Sequence, residues 1–215
     1  TVYEPSAGNG MLLIEADPKR VHANELNPDR RAALKRQGFE TVTPHDAAGY
    51  TPKGTFDAVI ANPPFGAVRD GSGSKVFSVD LPSGDKLNTT NIDFAISLSA
   101  LASMKPGGRT VLIVGSVAKT AASQEARSDA YNGSARRKFF YHLYGNYNVT
   151  DHFTVSGDLY AKQGAAWPVD VIVIQGKGKS SLTLPAAAVP RVYDSWDALK
   201  GLLPGESSDS TSLGS

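Results

Sequence analysis

The amino-acid sequence predicts an α/β domain: a seven-stranded, mostly parallel sheet with helices on both faces and an antiparallel last strand. Three observations predict it. Short apolar runs of strand length alternate with helical segments, about one βα unit in every twenty residues, which is the rhythm of a parallel sheet. Polar and glycine-rich signals follow the early apolar runs, beyond the carboxyl ends of the strands, where open α/β sheets bind ligands. The last two apolar runs, Tyr147–Val155 and Val169–Ile174, are joined without a helix, and that connection suits an antiparallel pair.

The elements follow in order. Thr1–Glu4 reads as a strand, and Gly10–Ala16 as the start of a helix. Val21–Glu25 is a strand. Asn27-Pro28 opens a helix, with Asn as N-cap and Pro at the first position; Arg30–Gln37 continues it and Gly38 stops it. Thr41–Thr43 is a strand ending near His45-Asp46. Phe56–Ala61 is an apolar strand that runs into Asn62-Pro63-Pro64-Phe65. The Gly-, Ser- and Asp-rich segment from Gly66 to Asn91 has no clear period and reads as a long functional or disordered loop. Ile92–Met104 is a helix that Lys105-Pro106-Gly107-Gly108 ends. Thr110–Val114 is a buried strand, Ser134–Tyr144 a helix, Leu182–Pro190 extended, and Ser195–Leu203 a short helix capped by Ser195. Residues 1–204 form one domain on this reading, and 205–215 a flexible linker or tail.

Composition narrows the function classes. The chain has 215 residues, 40% of them hydrophobic, enough for one domain with a buried core. No apolar run approaches the roughly 20 residues needed to span a bilayer. No signal-peptide pattern and no initiator Met are present, so a domain trimmed from a longer cytoplasmic chain is expected. The absence of Cys excludes disulfides, thiolate–zinc sites and Cys nucleophiles. A net charge of +1 confines any basic surface to a local patch. His22, His45, His142 and His152 show no metal-ligand spacing, so no metal is expected.

Four signals stand at strand ends: Glu4 with Gly8 and Gly10; Glu25; Asp46; and Asn62-Pro63-Pro64-Phe65. The glycines let backbone approach a ligand, and a following helix would turn its N–H groups and positive end toward a carboxylate. The spacing is not the dinucleotide fingerprint G-x-G-x-x-G. Glu25 can accept from ribose hydroxyls and Asp46 from an exocyclic amine. Taken singly, each is equally at home as a turn, a helix cap or a solvated charge. The fourth signal is sharper. Two prolines fix the backbone and remove two N–H donors, so the Asn62 side-chain oxygen and the Pro63 carbonyl can both face one planar NH2 group. Accepting both its hydrogens frees the nitrogen lone pair, and Phe65 offers a face for a flat base.

With these residues the sequence resembles the class I S-adenosylmethionine-dependent methyltransferases, Rossmann-like enzymes, in the amino-methylating branch with an N/D-P-P-Y/F motif. "EPSAGNG" resembles the first motif, "ANELNP" the second, "HDA" the third, "ANPPFG" the catalytic fourth, and "MKPGGRTVLIV" the fifth-strand segment. The motif order is similar to the gamma arrangement of adenine-N6 DNA methyltransferases, including modification subunits of type I restriction systems. "SKVF", "RSDAYNG", "FFYHLYGNYNV" and "GDLYAKQGAAWPVDVIVI" look like the methylase-like domain fused to strawberry-notch-type helicases in phage and plasmid proteins. The resemblance covers about residues 1–200. It implies S-adenosylmethionine as cofactor, held by Glu4, Pro5, Ser6, Ala7, Gly8, Gly10, Glu25, Leu26, Asp46, Ala47 and Asn62. It implies that Asn62, Pro63, Pro64 and Phe65 receive a flipped adenine of DNA. It also implies a fused or associated helicase as partner, and a role in host modification or antirestriction.

Alternatives remain at this level. Cytosine N4, an RNA base amine and a protein glutamine amide are also planar amines. A non-catalytic module that holds cofactor or DNA in a larger machine is a different class. Cytosine C5 chemistry is disfavoured without a Cys. Elsewhere, Arg136, Arg137 and Lys138 read either as a phosphate-contacting patch or as the solvated face of an amphipathic helix. Arg127, Arg69 and Lys75 are candidate phosphate contacts, the long loop a candidate lid over a flipped base, and Trp167 either core or a border of the target pocket.

Overall fold

Strand-length runs with alternating burial set the frame. The computed structural model describes residues 1–71, 73–117, 123–161 and 167–202. The first half holds the four expected strands and one expected helix: β1 (Val2–Glu4), β2 (Val21–Asn24), α1 (Pro28–Arg36), β3 (Thr41–Thr43) and β4 (Phe56–Ala61). Asn27 caps α1 through its side-chain oxygen, which accepts from the Asp29 and Arg30 N–H groups at 2.9 and 3.0 Å, with Pro28 at the first position.

The expected helix over Gly10–Ala16 does not form. A single 3₁₀ turn, Met11–Leu13, stands there, and a second one, Pro18–Arg20, leads into β2. The apolar run is too short to sustain a helix before Pro18, which lacks the N–H that the next turn needs.

The segment after β4 is not a featureless loop. It folds as two hairpins, β5 (Arg69–Asp70) with β6 (Gly73–Ser74) and β7 (Phe77–Asp80) with β8 (Lys86–Thr89). The second is amphipathic with period two and buries Phe77, Val79 and Leu87 in the main core, which rules it out as a free lid.

Next come α2 (Ile92–Ala102), β9 (Met104–Gly115), α3 (Gln124–Asn132), α4 (Ser134–Asn146), β10 (Tyr147–Val155), a short α5 (Gly157–Ala161), β11 (Val169–Lys177), β12 (Arg191–Tyr193) and α6 (Trp196–Lys200). Helix α2 stops at Ala102, two residues before the expected Met104, because Met104 already pairs with Phe56 in the sheet. Ser195 caps α6 as expected. The expected tail lies outside the described residues.

The sheet order is β12-β10-β11-β9-β4-β1-β2-β3, and β11 alone runs against the others. The sheet has eight strands, not seven. The extra edge strand, β12, follows Pro190 and lies parallel to β10. Arg127 explains its place: the guanidinium is buried and donates to the Pro190 carbonyl at 3.0 Å. Arg127 is therefore a structural clamp and not a phosphate contact.

Helix α2 is buried from Asp93 to Leu101 and packs with α4 on one face of the sheet, where Phe94 and Phe139 stack at 4.2 Å. On the other face, α1 and the first 3₁₀ turn bury Leu13, Leu34 and Phe39 against Val21 and Ala23. No helix among the described residues is long and apolar enough to cross a membrane.

Candidate active site at the carboxyl edge of the sheet

The order β4-β1-β2-β3 places the ends of four parallel strands side by side. Glu4 ends β1, and Asn62, Glu25 and Asp46 follow the ends of the others, so the fold lines up all four sequence signals along one edge.

One residue that the sequence reading passed over ties three of these ends together. Asn24, the last residue of β2, is 1% exposed. Its amide donates to the carbonyls of Pro5 and His45, both at 2.9 Å. Its side-chain oxygen accepts from the His45 N–H at 3.0 Å and the Thr43 hydroxyl at 2.8 Å. All four of its side-chain hydrogen bonds are thus made to the turn after β1, the end of β3 and the turn that follows it. The Ala7 N–H completes the stitch by donating to the Asn24 carbonyl at 2.9 Å.

Within this frame the glycine turn is open. Gly8 has φ +56°, and a Cβ there would meet nothing within 4 Å. Gly10 has φ +82° and closes against Gln37 and Leu34. Since no α-helix follows, the donors the turn can offer a ligand are loop N–H groups, not a helix terminus.

Glu4 is 1% exposed. Its Oε1 accepts from the Ser6 N–H and hydroxyl at 3.2 and 3.4 Å, while Oε2 is buried without a hydrogen-bond partner among the described residues. Burial pushes this carboxyl up to about 8; the Ser6 donors and the Asn62 N–H offset part of the rise, and the Glu25 charge adds to it. Between the ordinary value of 4.5 and about 8, the folded chain keeps a proton that the unfolded chain has released. Stability contributed by this group therefore falls as pH rises through that window, by on the order of a few kcal/mol. Melting curves from pH 5 to 8.5 are expected to show less of this decline in Glu4→Gln than in the native chain. An identical pH slope in both contradicts the assignment.

Glu25 has the opposite state. Burial alone would raise it, but the Arg30 guanidinium and the Asn27 and Gly8 N–H groups hold its carboxyl below the ordinary range. Oε2 accepts from the Gly8 N–H at 2.9 Å, and Oε1 from the Asn27 N–H at 2.7 Å and from Arg30 at 2.8 Å. Glu25 thus ties the open turn to the end of β2. Leu26 beside it is 61% exposed. Asp46 is exposed and accepts from the Ala48 N–H at 3.1 Å, capping a 3₁₀ turn, while Ala47 is buried in the main core.

After β4, Pro63 is buried, Asn62 and Phe65 are half-buried and Pro64 is exposed. Phe65 borders a cavity of about 400 Å³ lined by Gly66, Asn91, Asp93, Gly115, Arg136 and Trp167. That is the lower part of the range for small-molecule sites. Two of these residues, Asp93 and Gly115, had no site role in the sequence reading. Asp93 is fully buried and accepts from the Gly66 N–H at 3.2 Å and the Gly115 N–H at 3.0 Å, pinning the turn after β4 to the end of β9. Gly115 is the contact point: a Cβ there would stand 3.2 Å from that of Phe65. Arg136 donates to the Gly115 and Ser116 carbonyls at 2.7 and 2.8 Å, so it braces the cavity and is no phosphate contact, while Arg137 and Lys138 are exposed. Trp167 donates to the Ser116 carbonyl at 3.3 Å and is 46% exposed at the cavity, a border and not core. Among the described residues, no group of three or more His, Asp or Glu side chains is placed to hold a metal ion.

No protein-family model and no curated protein matches the sequence. Solved structures do match in fold. A chain of a type I restriction-modification system is similar with a TM-score of 0.61 at 14% identity, over 94% of this chain and 45% of that one. The type I restriction enzyme EcoKI M protein is similar with a TM-score of 0.55 at 15% identity, over 84% of this chain and 42% of that one. A Listeria monocytogenes protein classed with the class I S-adenosylmethionine-dependent methyltransferases is similar with a TM-score of 0.52 at 16% identity, over 89% of this chain and 57% of that one. The fold is the Rossmann-like α/β fold of these proteins. The chain spans between 42% and 57% of their lengths.

Proposed function

We propose that the chain transfers a methyl group from S-adenosylmethionine to the exocyclic N6 amine of adenine in DNA, with the base flipped into the cavity beside Phe65. The observation that carries this reading is the placement of Asn62-Pro63-Pro64-Phe65 directly beside the Glu4 turn, on adjacent strands of one sheet edge. An acceptor pair built for a planar amine stands next to an open glycine turn. The neighbours in fold, which include type I restriction-modification chains, support the same reading.

The residues present fit the cofactor. The buried, unpartnered Glu4 Oε2 suits the ammonium of an amino-acid tail. The Pro5-Ser6-Ala7-Gly8 turn offers bare backbone, with Gly10 shaping its exit. Glu25 would take the ribose hydroxyls by exchanging its bond to Arg30, whose side chain is 48% exposed and easily released. Leu26 would cover one face of the adenine, and Asp46 with the Ala47 backbone would meet its amine. Bound S-adenosylmethionine would supply an electrophilic methyl group.

The chain's own work is then positioning. The Asn62 side-chain oxygen and the Pro63 carbonyl accept the two amine hydrogens and aim the lone pair. Phe65 stacks on the base and Trp167 borders it from across the cavity. Asp93 is given no proton-transfer role: its two oxygens accept the Gly66 and Gly115 N–H groups and hold the turn, and the product proton leaves to water. A fused or associated helicase is the proposed partner, and the cytoplasm the proposed compartment.

Titration calorimetry with S-adenosylmethionine tests the cofactor half of the reading. Binding is expected in the native chain and is expected to weaken at least tenfold in Glu25→Ala. No heat of binding in the native chain sinks it. Binding without transfer to any nucleic acid would leave a module that holds the cofactor without turnover.

A further inference from the structure

A second cavity, larger than the one beside Phe65, lies elsewhere on the molecule. A groove of about 810 Å³ lies between α4, the β7–β8 hairpin and the segment after β11. Helix α4 supplies its floor in register: Lys138, Tyr141, His142 and Gly145 stand at i, i+3, i+4 and i+7, one stripe of the helix. The opposite stripe, with Phe139, Phe140 and Leu143, is buried. Tyr141 is 72% exposed, an unusual state for so large a ring. Lys86 comes from the hairpin and Lys179 from the segment after β11. A smaller cavity shares His142 and Asn146 with the groove and adds Lys177.

Charge is segregated here. The whole chain is nearly neutral, at +1, yet the two joined cavities are lined by four lysines and no carboxylate. Lys86 pairs with Asp80 at 3.0 Å, but both side chains are mostly in solvent, at 65% and 82% exposure, and the pair is worth little. The other three lysines are exposed. The concave shape, the ring and the leucines Leu81, Leu182 and Leu184 suit unstacked bases better than a duplex.

We infer that this groove binds a short stretch of single-stranded nucleic acid, with Lys138, Lys177 and Lys179 on the phosphates and Tyr141 stacked on a base. Arg136, in the first turn of α4, braces the cavity beside Phe65, and Asn146 lies ten residues, about 15 Å, further along the same helix. The groove is thus a second site beside the proposed catalytic one, within reach of the strand that enters it. It does not require the methyl-transfer reading, because binding is measured without cofactor.

Fluorescence anisotropy of a labelled twelve-residue oligothymidylate, titrated with the full chain at several salt concentrations, tests it. The native chain is expected to bind, more weakly as salt rises. Lys138→Gln with Lys179→Gln is expected to weaken binding at least tenfold at low salt. The slope of log affinity against log salt should fall by roughly 1.4, the value for two single-strand phosphate contacts. Tyr141→Ala is expected to lose roughly fivefold or more. All three positions are exposed, so the melting temperature should stay unchanged. Lys35→Gln on α1 serves as control and should have no effect. Equal binding by the native chain and the lysine pair variant overturns the proposal. So does tighter binding of duplex through the same lysines, or displacement of the oligonucleotide by oligoglutamate at lower charge concentration than by unlabelled oligothymidylate. The last result would make the groove a seat for an acidic polypeptide.

Discussion

Asn62→Ala is expected to lower kcat for methyl transfer by about 100-fold or more while leaving KM within a few-fold of the native value. The reason is the separation of two jobs. On the proposed reading, Phe65 and the cavity around Trp167 would hold the base and survive the substitution, so ground-state binding would change little. The acceptor that orients the amine is lost, and removing one preorganised hydrogen-bonding group of this kind costs about 2.7–4 kcal/mol in the transition state. Pro63 keeps its carbonyl but can hold only one of the two amine hydrogens. Asn62→Asp retains an acceptor at the same reach and is expected to keep clearly more activity than the alanine variant. Steady-state kinetics on unmethylated DNA check both. A rise in KM with kcat unchanged in Asn62→Ala would mean that Asn62 binds and does not orient.

Asn24→Asp is expected to be the most damaging isosteric change on the sheet edge. The side chain is buried and faces the Pro5 and His45 carbonyls with its amide. A carboxylate there turns two donors into lone pairs aimed at two acceptors. Protonation would restore one donor at most. Leaving buried carbonyls unpaired costs about 1–3 kcal/mol each, and burying an unpaired charge costs more. Loss of roughly 3 kcal/mol or more in denaturant unfolding is the expected outcome, together with loss of cofactor binding, because the turn after β1 is released. The penalty should ease on acidification as the carboxyl takes up a proton. A variant as stable as the native chain would show that Asn24 does not hold the turns.

The two predictions rest on residues of different legibility. The placement of Asn62 to Phe65 at a strand end could be read because the motif is contiguous: Asn, two prolines and ring follow one another after an apolar strand. The glycine turn at Gly8 and Gly10, after the strand that Glu4 ends, was legible for the same reason. Asn24 was not, although it stands one residue before Glu25. Its partners lie 19 and 21 residues away in sequence, and only the parallel pairing of β1, β2 and β3 brings them to it. Asp93 is alike, with partners 27 and 22 residues off. Arg127 and Arg136 looked like surface cations because α3 was not foreseen and α4 was read without the carbonyls these residues brace. In the fold, the parallel core and the antiparallel β10–β11 pair followed from apolar runs. The β7–β8 hairpin had the right alternation but short strands, and the Gly- and Ser-rich segment before it hid the period. The apolar run after Gly10 carried no period, and Pro18 cut short the helix it suggested.

The central claim is that the Asn62 pocket and the Glu4 turn together make a methyltransferase acting on the amine of a base. Its most direct measurement is to incubate the chain with S-adenosylmethionine labelled in the methyl group and unmethylated DNA, digest the DNA to nucleosides, and identify the labelled one. Label in N6-methyladenine that disappears in Asn62→Ala is the result expected. A chain that binds the cofactor yet leaves every nucleoside unlabelled would contradict the claim.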